Sequence, residues 1–557
     1  MRAGLFGALS SEALNVPGTT LQAEGEWNVV LGEVGCPHPV QGSVLRDQGG
    51  RWVGLHGAWL NPPTSNWSEE LSAEVVQEVV SSPEAFERAE GPLQGCCWDA
   101  RSSTFLLHGD FARQHPLYWT AHDKGMLFAN SVDKLVELMR SLSVPVVPDQ
   151  GAAAMLLTYG CILGDQTLIQ GVRKIMPGHS LTWTPQGIQV GPRSSLLHIP
   201  RDLNREEETT QALDASLRSS IRCMAELNRR SGCRQHTLLS GGLDSRLVTF
   251  ALSDEVSEVE ALCFSARGYL DHHISETLAG DLGWGYHFCD LGTGEYMMET
   301  DSVMEYDGCV NYLASAHHRH ALEQLEPEAL GLLGSGQGAN VLLTDAHSWD
   351  ASGEDALRSM ELYSGVRSHA LSSAMKAWDQ HPHPQVFKVI NRGFLYTNSG
   401  AYSTASRGVL WSPFTSRAFV RTALRVSREH VAGQRAYLTW MASRFPDALN
   451  YDWERYGVPP VLGWRLRMAQ VWAKLRAKLG RWIPSWAPAS MSPIQDWHDK
   501  SPRIQDFYRQ TFQDHQAWLG LYPSLQSMVE RDYDTMTVMN KASVVTLLLA
   551  SKSWFKL

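Results

Sequence analysis

The stretch Thr237-Leu238-Leu239-Ser240-Gly241-Gly242-Leu243-Asp244-Ser245 constrains this chain more than any other. An apolar run ends in a Ser-Gly-Gly turn, and an Asp-Ser pair then opens a helix-like run through Arg246, Leu247, Val248 and Phe250. The pattern reads as strand, anion-cradling loop and helix. Gly241 and Gly242 lack a Cβ, so their backbone N–H groups can approach a ligand closely. Ser240 and Ser245 add hydroxyl donors, and the helix would turn its positive N-terminal end toward the same anion. Asp244 would repel bare phosphate, but it fits if Mg²⁺ sits between carboxylate and pyrophosphate. The expectation is ATP, bound with Mg²⁺ and cleaved between its α and β phosphates, with residues Ser240 to Ser245 around the pyrophosphate. The chain holds no GxxxxGK[ST] loop.

The surrounding pattern extends the argument. Helix-like segments at 211–228, 243–252 and 271–283 alternate with apolar strands at 236–240 and 259–265. Such alternation predicts a parallel sheet with helices on both faces. Residues 1–195 are instead rich in strand and turn signals, such as Trp27–Leu31, Arg51–Leu55, Thr104–His108 and Ser180–Trp183, with helix-like segments at 69–80 and 131–141. The polar stretch 196–210 reads as a linker running into a helix, and 370–557 as mainly helix and loop. A chain of 557 residues is too long for one ordinary core. Two domains are expected, at 1–195 and 205–557.

Charge and cysteine usage bound the setting. A net charge of −11 argues against a broad nucleic-acid surface, so no nucleic-acid partner is expected. Nine cysteines without a CxxC, scattered singly except for Cys96-Cys97, fit a reducing compartment and buried thiols. The first fifteen residues lack a long apolar segment, and no run reaches the roughly 18 apolar residues of a spanning helix. The expected location is cytoplasmic.

SGGLDS is the pyrophosphate-loop motif of the asparagine synthetase family, and this chain resembles that family along most of its length. Gly95-Cys96-Cys97-Trp98-Asp99, Gly109-Asp110-Phe111-Ala112-Arg113, Pro116-Leu117-Tyr118 and Leu127-Phe128-Ala129-Asn130-Ser131 resemble the second half of a class II glutamine amidotransferase domain. Thr167–Lys174 and Pro177-Gly178-His179 resemble the segment that closes it. The resemblance implies an α/β protein. An N-terminal αββα Ntn-hydrolase-like sandwich would be followed by a parallel-sheet adenine-nucleotide-hydrolase-like (PP-loop) domain with a helical C-terminal region.

Working enzymes of that class carry Cys immediately after the initiator Met, where the thiol attacks glutamine and the freed α-amino group acts as base. Here position 2 is Arg and the first cysteine is Cys36, so no glutaminase activity is expected. β-Lactam synthetases and lasso-peptide cyclases are similar in lacking that cysteine.

In the C-terminal half, Ala261-Leu262-Cys263-Phe264-Ser265 resembles the family strand whose backbone holds the adenine edge, which places Phe264 at the nucleotide. Asp271–Leu282 resembles the helix that follows. Leu332–Val341 resembles an SGEGADE-type turn, matching in its glycines, Gly336 among them. Gln337, Asn340 and Val341 stand where the family usually has acids. Asn340 still offers a carbonyl oxygen to Mg²⁺ beside Asp244, with one charge fewer, and nearby Asp345 is a further acid. Trp411–Arg417 resembles an RxPFLDR-type segment without its acid. Trp453-Glu454-Arg455-Tyr456-Gly457-Val458-Pro459 resembles a K-x-G-F-x-V-P region whose lysine stabilises the pyrophosphate leaving group. Arg455 takes that place, as a catalytic charge or as a surface ion-pair partner. His272, His273, His317, His318 and His320 read as solvated helix surface.

Residues 464–482 carry Arg465, Arg467, Lys474, Arg476, Lys478 and Arg481 with no acid, interleaved with Trp464, Leu466, Met468, Val471, Trp472, Leu475, Leu479 and Trp482. The commoner arrangement is an amphipathic helix packed on the core with a solvated basic face. A membrane surface or a partner is the other reading.

Two functions fit the whole. One is an ATP-dependent amide-forming ligase acting on a small-molecule or peptide carboxylate, with ammonia or an amine as nucleophile. Asp244 and Arg455 would be catalytic there. Gln337 cannot act as general base, because an amide does not accept a proton near neutral pH. The departures point away from ordinary asparagine synthesis. The other reading is a degenerate relative that binds nucleotide or a partner without turnover. The oligomeric state is open.

Overall fold

The computed structural model describes residues 4–10, 28–34, 42–47, 51–62, 73–123, 125–193, 195–325, 330–344, 349–401, 408–461, 463–479 and 491–557. Among the described residues, eleven strands form the N-terminal part: β1 (Gly4–Ser10), β2 (Asn28–Val34), β3 (Gly42–Asp47), β4 (Arg51–Gly57), β5 (Leu93–Asp99), β6 (Thr104–His108), β7 (Tyr118–His122), β8 (Gly125–Ala129), β9 (Arg173–Lys174), β10 (His179–Thr184) and β11 (Gly187–Pro192). They make two antiparallel sheets, ordered β2-β1-β8-β7-β9 and β11-β10-β6-β5-β4-β3.

Strand alternation sorts their side chains. Leu5 and Leu9 point between the sheets, where they meet Trp98, Phe105, Leu107, Phe128 and Leu181. Phe6 and Ala8 point the other way, into a cluster with Leu135, Met139, Met155 and Leu156 of the helices Val132–Ser141 and Gln150–Tyr159. On the far side of the second sheet, Val53, Leu55, Leu93 and Cys97 cover Val76, Val80 and Phe86 of Ala73–Val80 and Pro83–Phe86. The result is the four-layer αββα sandwich expected from the resemblance.

The C-terminal part is built on β12 (Arg234–Leu238), β13 (Glu260–Ser265), β14 (Gly285–Asp290), β15 (Leu330–Gly334) and β16 (Val409–Trp411). All pair in parallel, in the order β14-β13-β12-β15-β16. Apolar side chains leave both faces: Leu238, Leu262, Leu333 and Leu410 join one core cluster, and Ala261, Leu332, Val409 and Trp411 join the other. Two-sided burial is what a parallel sheet with helices on each face requires. The chain runs from β12 outward to β13 and β14, then returns to the other side for β15 and β16. That reversal opens a crevice above the C-terminal end of β12.

One helix differs in its bounds from expectation. The helix anticipated at 211–228 spans Glu206–Arg230, because Glu206, Glu207 and Glu208 occupy its first turn, where negative charge meets the helix dipole favourably. The stretch 196–210, read as a linker running into a helix, enters that helix at Glu206. The region from 370 onward is helical as expected, apart from the short edge strand β16.

One apolar cluster runs through both parts, joining Phe6, Tyr118 and Met155 to Leu333, Tyr312 and Val545. Fully buried Asp307 pins the contact. Its Oδ2 accepts from the Tyr118 hydroxyl at 2.7 Å and its Oδ1 from the Val132 N–H at 2.9 Å. The described cysteines are free thiols and all but Cys223 are buried; Cys36 lies outside the described residues. Among those residues no helix is long and apolar enough to cross a membrane.

Candidate functional site

A cleft of about 970 Å³ opens at the crevice above β12. Its walls bring together Ser240, Gly242, Leu243, Asp244 and Ser245 from the loop, Phe264 from β13, Gly336 and Asn340 after β15, and Arg455. A groove of about 1010 Å³ lies at the opposite end of the sheet, near Arg234 and Glu260. Several of its charged groups pair with one another, as in Arg222–Glu255 and Arg229–Glu226, and it holds none of the residues singled out by sequence.

The loop is held by bonds within itself. Ser240 N–H donates to Ser245 Oγ at 3.0 Å, the two hydroxyls lie 2.8 Å apart, and Gly242 N–H donates to Ser240 Oγ at 3.1 Å. Gly241 departs from expectation. Its N–H donates to Asp271 Oδ1 at 2.8 Å, turned away from the cleft. A Cβ there would sit 2.8 Å from Glu454 Cβ and 2.9 Å from Ile274 Cδ1, so close packing is what demands glycine. The donors left for an anion are the first-turn N–H groups of the helix Leu243–Ser253, which begins at Gly242 with no side-chain cap.

Gly336 touches the loop itself, since a Cβ there would lie 2.4 Å from Ser245 N and 2.5 Å from the Asp244 carbonyl carbon. Asp244 is half-buried, and its desolvation raises its pKa to about 6; the Tyr437 hydroxyl, donating to Oδ1 at 2.8 Å, works against that rise. Asn340 is exposed on the same cleft, and Asp345 lies outside the described residues. Among the described residues no three His, Cys, Asp or Glu side chains cluster as a metal site. Asp244 and the Asn340 carbonyl suit Mg²⁺ only as a shared site, with phosphate and water oxygens completing the shell.

Arg455 is exposed and, among the described residues, forms no ion pair. Its guanidinium lies 5.5 Å from the Tyr456 ring centroid. The neighbouring Glu454 was not anticipated. Burial raises its pKa to about 7, the charge of Asp271 adds to the rise, and Arg246 opposes it. Its Oε2 is buried without a hydrogen-bond partner, and the residue lines the cleft. Arg246, fully buried, fastens this segment beneath the loop by donating to the carbonyls of Gly241 (2.9 Å), Ala448 (2.8 Å) and Asp452 (2.7 Å).

Phe264 lies two residues beyond Leu262, whose carbonyl accepts from Leu239 N–H at 2.8 Å. In a parallel strand its backbone groups point to the same side, past the end of β12 and over the loop. His317 and His318 differ from the solvated surface expected of them. They line the cleft beside Phe264, with ring centroids 5.3 and 5.1 Å from its ring. Burial lowers His317 to about 4 and His318 well below its usual value. His272 is half-buried, stacked on Phe288 at 3.8 Å.

Asp271 and Tyr437 also escaped sequence reasoning as site residues, because they act on the loop from distant segments; Arg246 follows the loop directly, but its reach to the carbonyls of Ala448 and Asp452 is not visible in sequence. Glu454 had a signal: an acid inside a segment already singled out for Arg455.

Residues 65–193 match the glutamine amidotransferase domain family, and the N-terminal part has a glutamine amidotransferase-type fold. The position that would carry the nucleophile lies outside the described residues. No curated protein matches the chain. One similar solved structure is the allosteric regulatory enzyme of purine biosynthesis, at 9% identity and a TM-score of 0.21, covering 51% of this chain and 75% of that one. Another is the B. subtilis glutamine phosphoribosylpyrophosphate amidotransferase complexed with ADP and GMP, at 8% identity and a TM-score of 0.19, covering 71% and 91%.

Proposed function

We propose that the chain is an ATP-dependent ligase joining a small-molecule or peptide carboxylate to ammonia or an amine. The observation that carries this reading is the cleft itself, where three distant segments meet: the loop at 240–245, the turn at 336–340 and Arg455.

A carboxylate oxygen attacks the α-phosphorus of ATP, and the bond to pyrophosphate breaks. Nitrogen then attacks the acyl carbon, the bond to AMP breaks, and the proton lost by nitrogen passes to a base. The first-turn N–H groups after Gly242 bind the phosphates, and Arg455 stabilises negative charge on the departing pyrophosphate. Backbone groups of Phe264 face the adenine edge. Asp244 with Asn340 would hold Mg²⁺, which neutralises phosphate charge when bound. Glu454 takes the role Gln337 cannot fill: a carboxyl with a pKa of about 7, on a residue that lines the cleft, is suited to accept the nitrogen's proton.

The test is pyrophosphate exchange and AMP release across a panel of carboxylates, with Asp244→Ala as control. Carboxylate-dependent exchange that the control lacks supports the proposal. A second reading, nucleotide binding without turnover, draws on the commitment of the Ser240, Gly241 and Gly242 N–H groups inside the protein. Clear ATP binding with no exchange for any carboxylate would favour it.

A further inference from the structure

The helix Trp464–Leu479 sits with its apolar side facing water. Trp464 is 72% exposed, Met468 and Val471 61% each, Trp472 56% and Leu475 43%. Their spacing of i, i+4, i+7, i+8 and i+11 puts all five on one face. Attachment to the body falls to the opposite, narrower side, where Leu466 is buried and Ala469, Gln470 and Ala473 are half-buried. This overturns the packed arrangement expected from sequence, in which the apolar face would meet the core.

Exposed cations border the apolar ridge. Helical spacing sets Arg465 and Arg476 along one edge and Arg467 along the other, and the helix contains no acid. A protein of net charge −11 thus carries one locally positive, apolar, convex ridge. A groove on a folded partner would need matching shape, whereas a fluid bilayer conforms to a ridge. Two outward tryptophans flanked by arginines match what an in-plane helix needs at the headgroup level.

We propose that this helix docks the protein onto a bilayer carrying anionic phospholipid, with the five apolar side chains seated at the headgroup–acyl boundary. This does not depend on the ligase reading.

The test is flotation of the full chain with vesicles of phosphatidylcholine alone or mixed with phosphatidylglycerol. Binding is expected only to the mixed vesicles, and it weakens at about 0.5 M salt. The double variants Trp464→Ser/Trp472→Ser and Arg465→Glu/Arg467→Glu should each reduce binding about tenfold or more. All four positions are exposed, so unchanged melting temperatures will show that the fold is kept. Failure to bind the mixed vesicles overturns the proposal, as does equal binding to both compositions. So does binding that the variants leave intact. Light scattering that shows a dimer dispersed by the tryptophan variant, without vesicle binding, would reassign the ridge to a second copy of the chain.

Discussion

Tyr437 donates its hydroxyl to Asp244 Oδ1 at 2.8 Å, across 193 residues of sequence. Burial of Asp244 favours the neutral acid and the tyrosine favours the anion. Tyr437→Phe therefore raises the carboxyl pKa further. Because the proposed role of Asp244 at Mg²⁺ and nucleotide calls for the anion, the acid limb of the exchange profile should move up by about one pH unit. Activity falls by about half at pH 7 and is recovered in more alkaline buffer. An acid limb identical in variant and wild type would refute this role for Tyr437.

Glu454 gives a stability signature of known sign. Its folded pKa of about 7 lies above the usual carboxylate value of 4.5, so the folded state holds the proton more tightly. Its ionisation costs nothing below the unfolded pKa. The cost grows from about pH 4.5 to 7 and then levels off. Glu454→Gln should melt above wild type at pH 8, by up to about 3 kcal/mol, and the gap should close by about pH 4.5. Calorimetry at three pH values checks both sign and window.

Arg455 is exposed, so its removal should leave melting within about 0.5 kcal/mol of wild type. Arg455→Ala should slow pyrophosphate exchange by about 100-fold, as expected when a charge-stabilising donor is lost. Arg455→Lys should recover part of that, since it keeps charge but not the planar fork. Steady-state exchange kinetics of both variants, read beside ATP affinity, separate this from a binding effect.

Gly336 and Gly280 form a contrast. A methyl at 336 meets the Ser245 backbone at 2.4 Å, whereas one at 280 meets nothing within 4 Å. Gly336→Ala should cost about 1–3 kcal/mol and weaken ATP binding by displacing the loop. Gly280→Ala, within the helix Leu270–Leu282, should be neutral or slightly stabilising. Thermal melts with and without ATP distinguish the two.

Asp307 adopts φ 54° and accepts two hydrogen bonds that join the two parts. Asp307→Ala removes both acceptors and should cost about 2–4 kcal/mol in a denaturant melt. Asp307→Asn keeps the left-handed tolerance and one acceptor oxygen, and should cost less.

Much of the architecture was legible because local pattern and fold agree. The helix at 243–253 and the strands at 104–108 and 260–265 fell where periodicity placed them. The site was legible where the chain carries its own chemistry in one run, as at Ser240–Ser245. Asp271, Tyr437 and Glu454 were not, because each acts on the loop through space, and a single sequence does not show which distant side chains converge. Gly241 looked like a ligand donor when its constraint is a neighbour's Cβ. The helix at 464–479 marks a third limit. Periodicity shows that apolar residues share a face, but which face meets the body depends here on Leu466 and the small side chains of Ala469 and Ala473.

The shared core around Phe6, Tyr118, Tyr312 and Val545 has a consequence for how this molecule can be dissected. A gene cut at the 196–205 connection would tear one hydrophobic interior in two, and neither fragment would keep the burial it needs to fold. Whatever the N-terminal scaffold contributes by way of chemistry, the sheet beneath the cleft is packed against it.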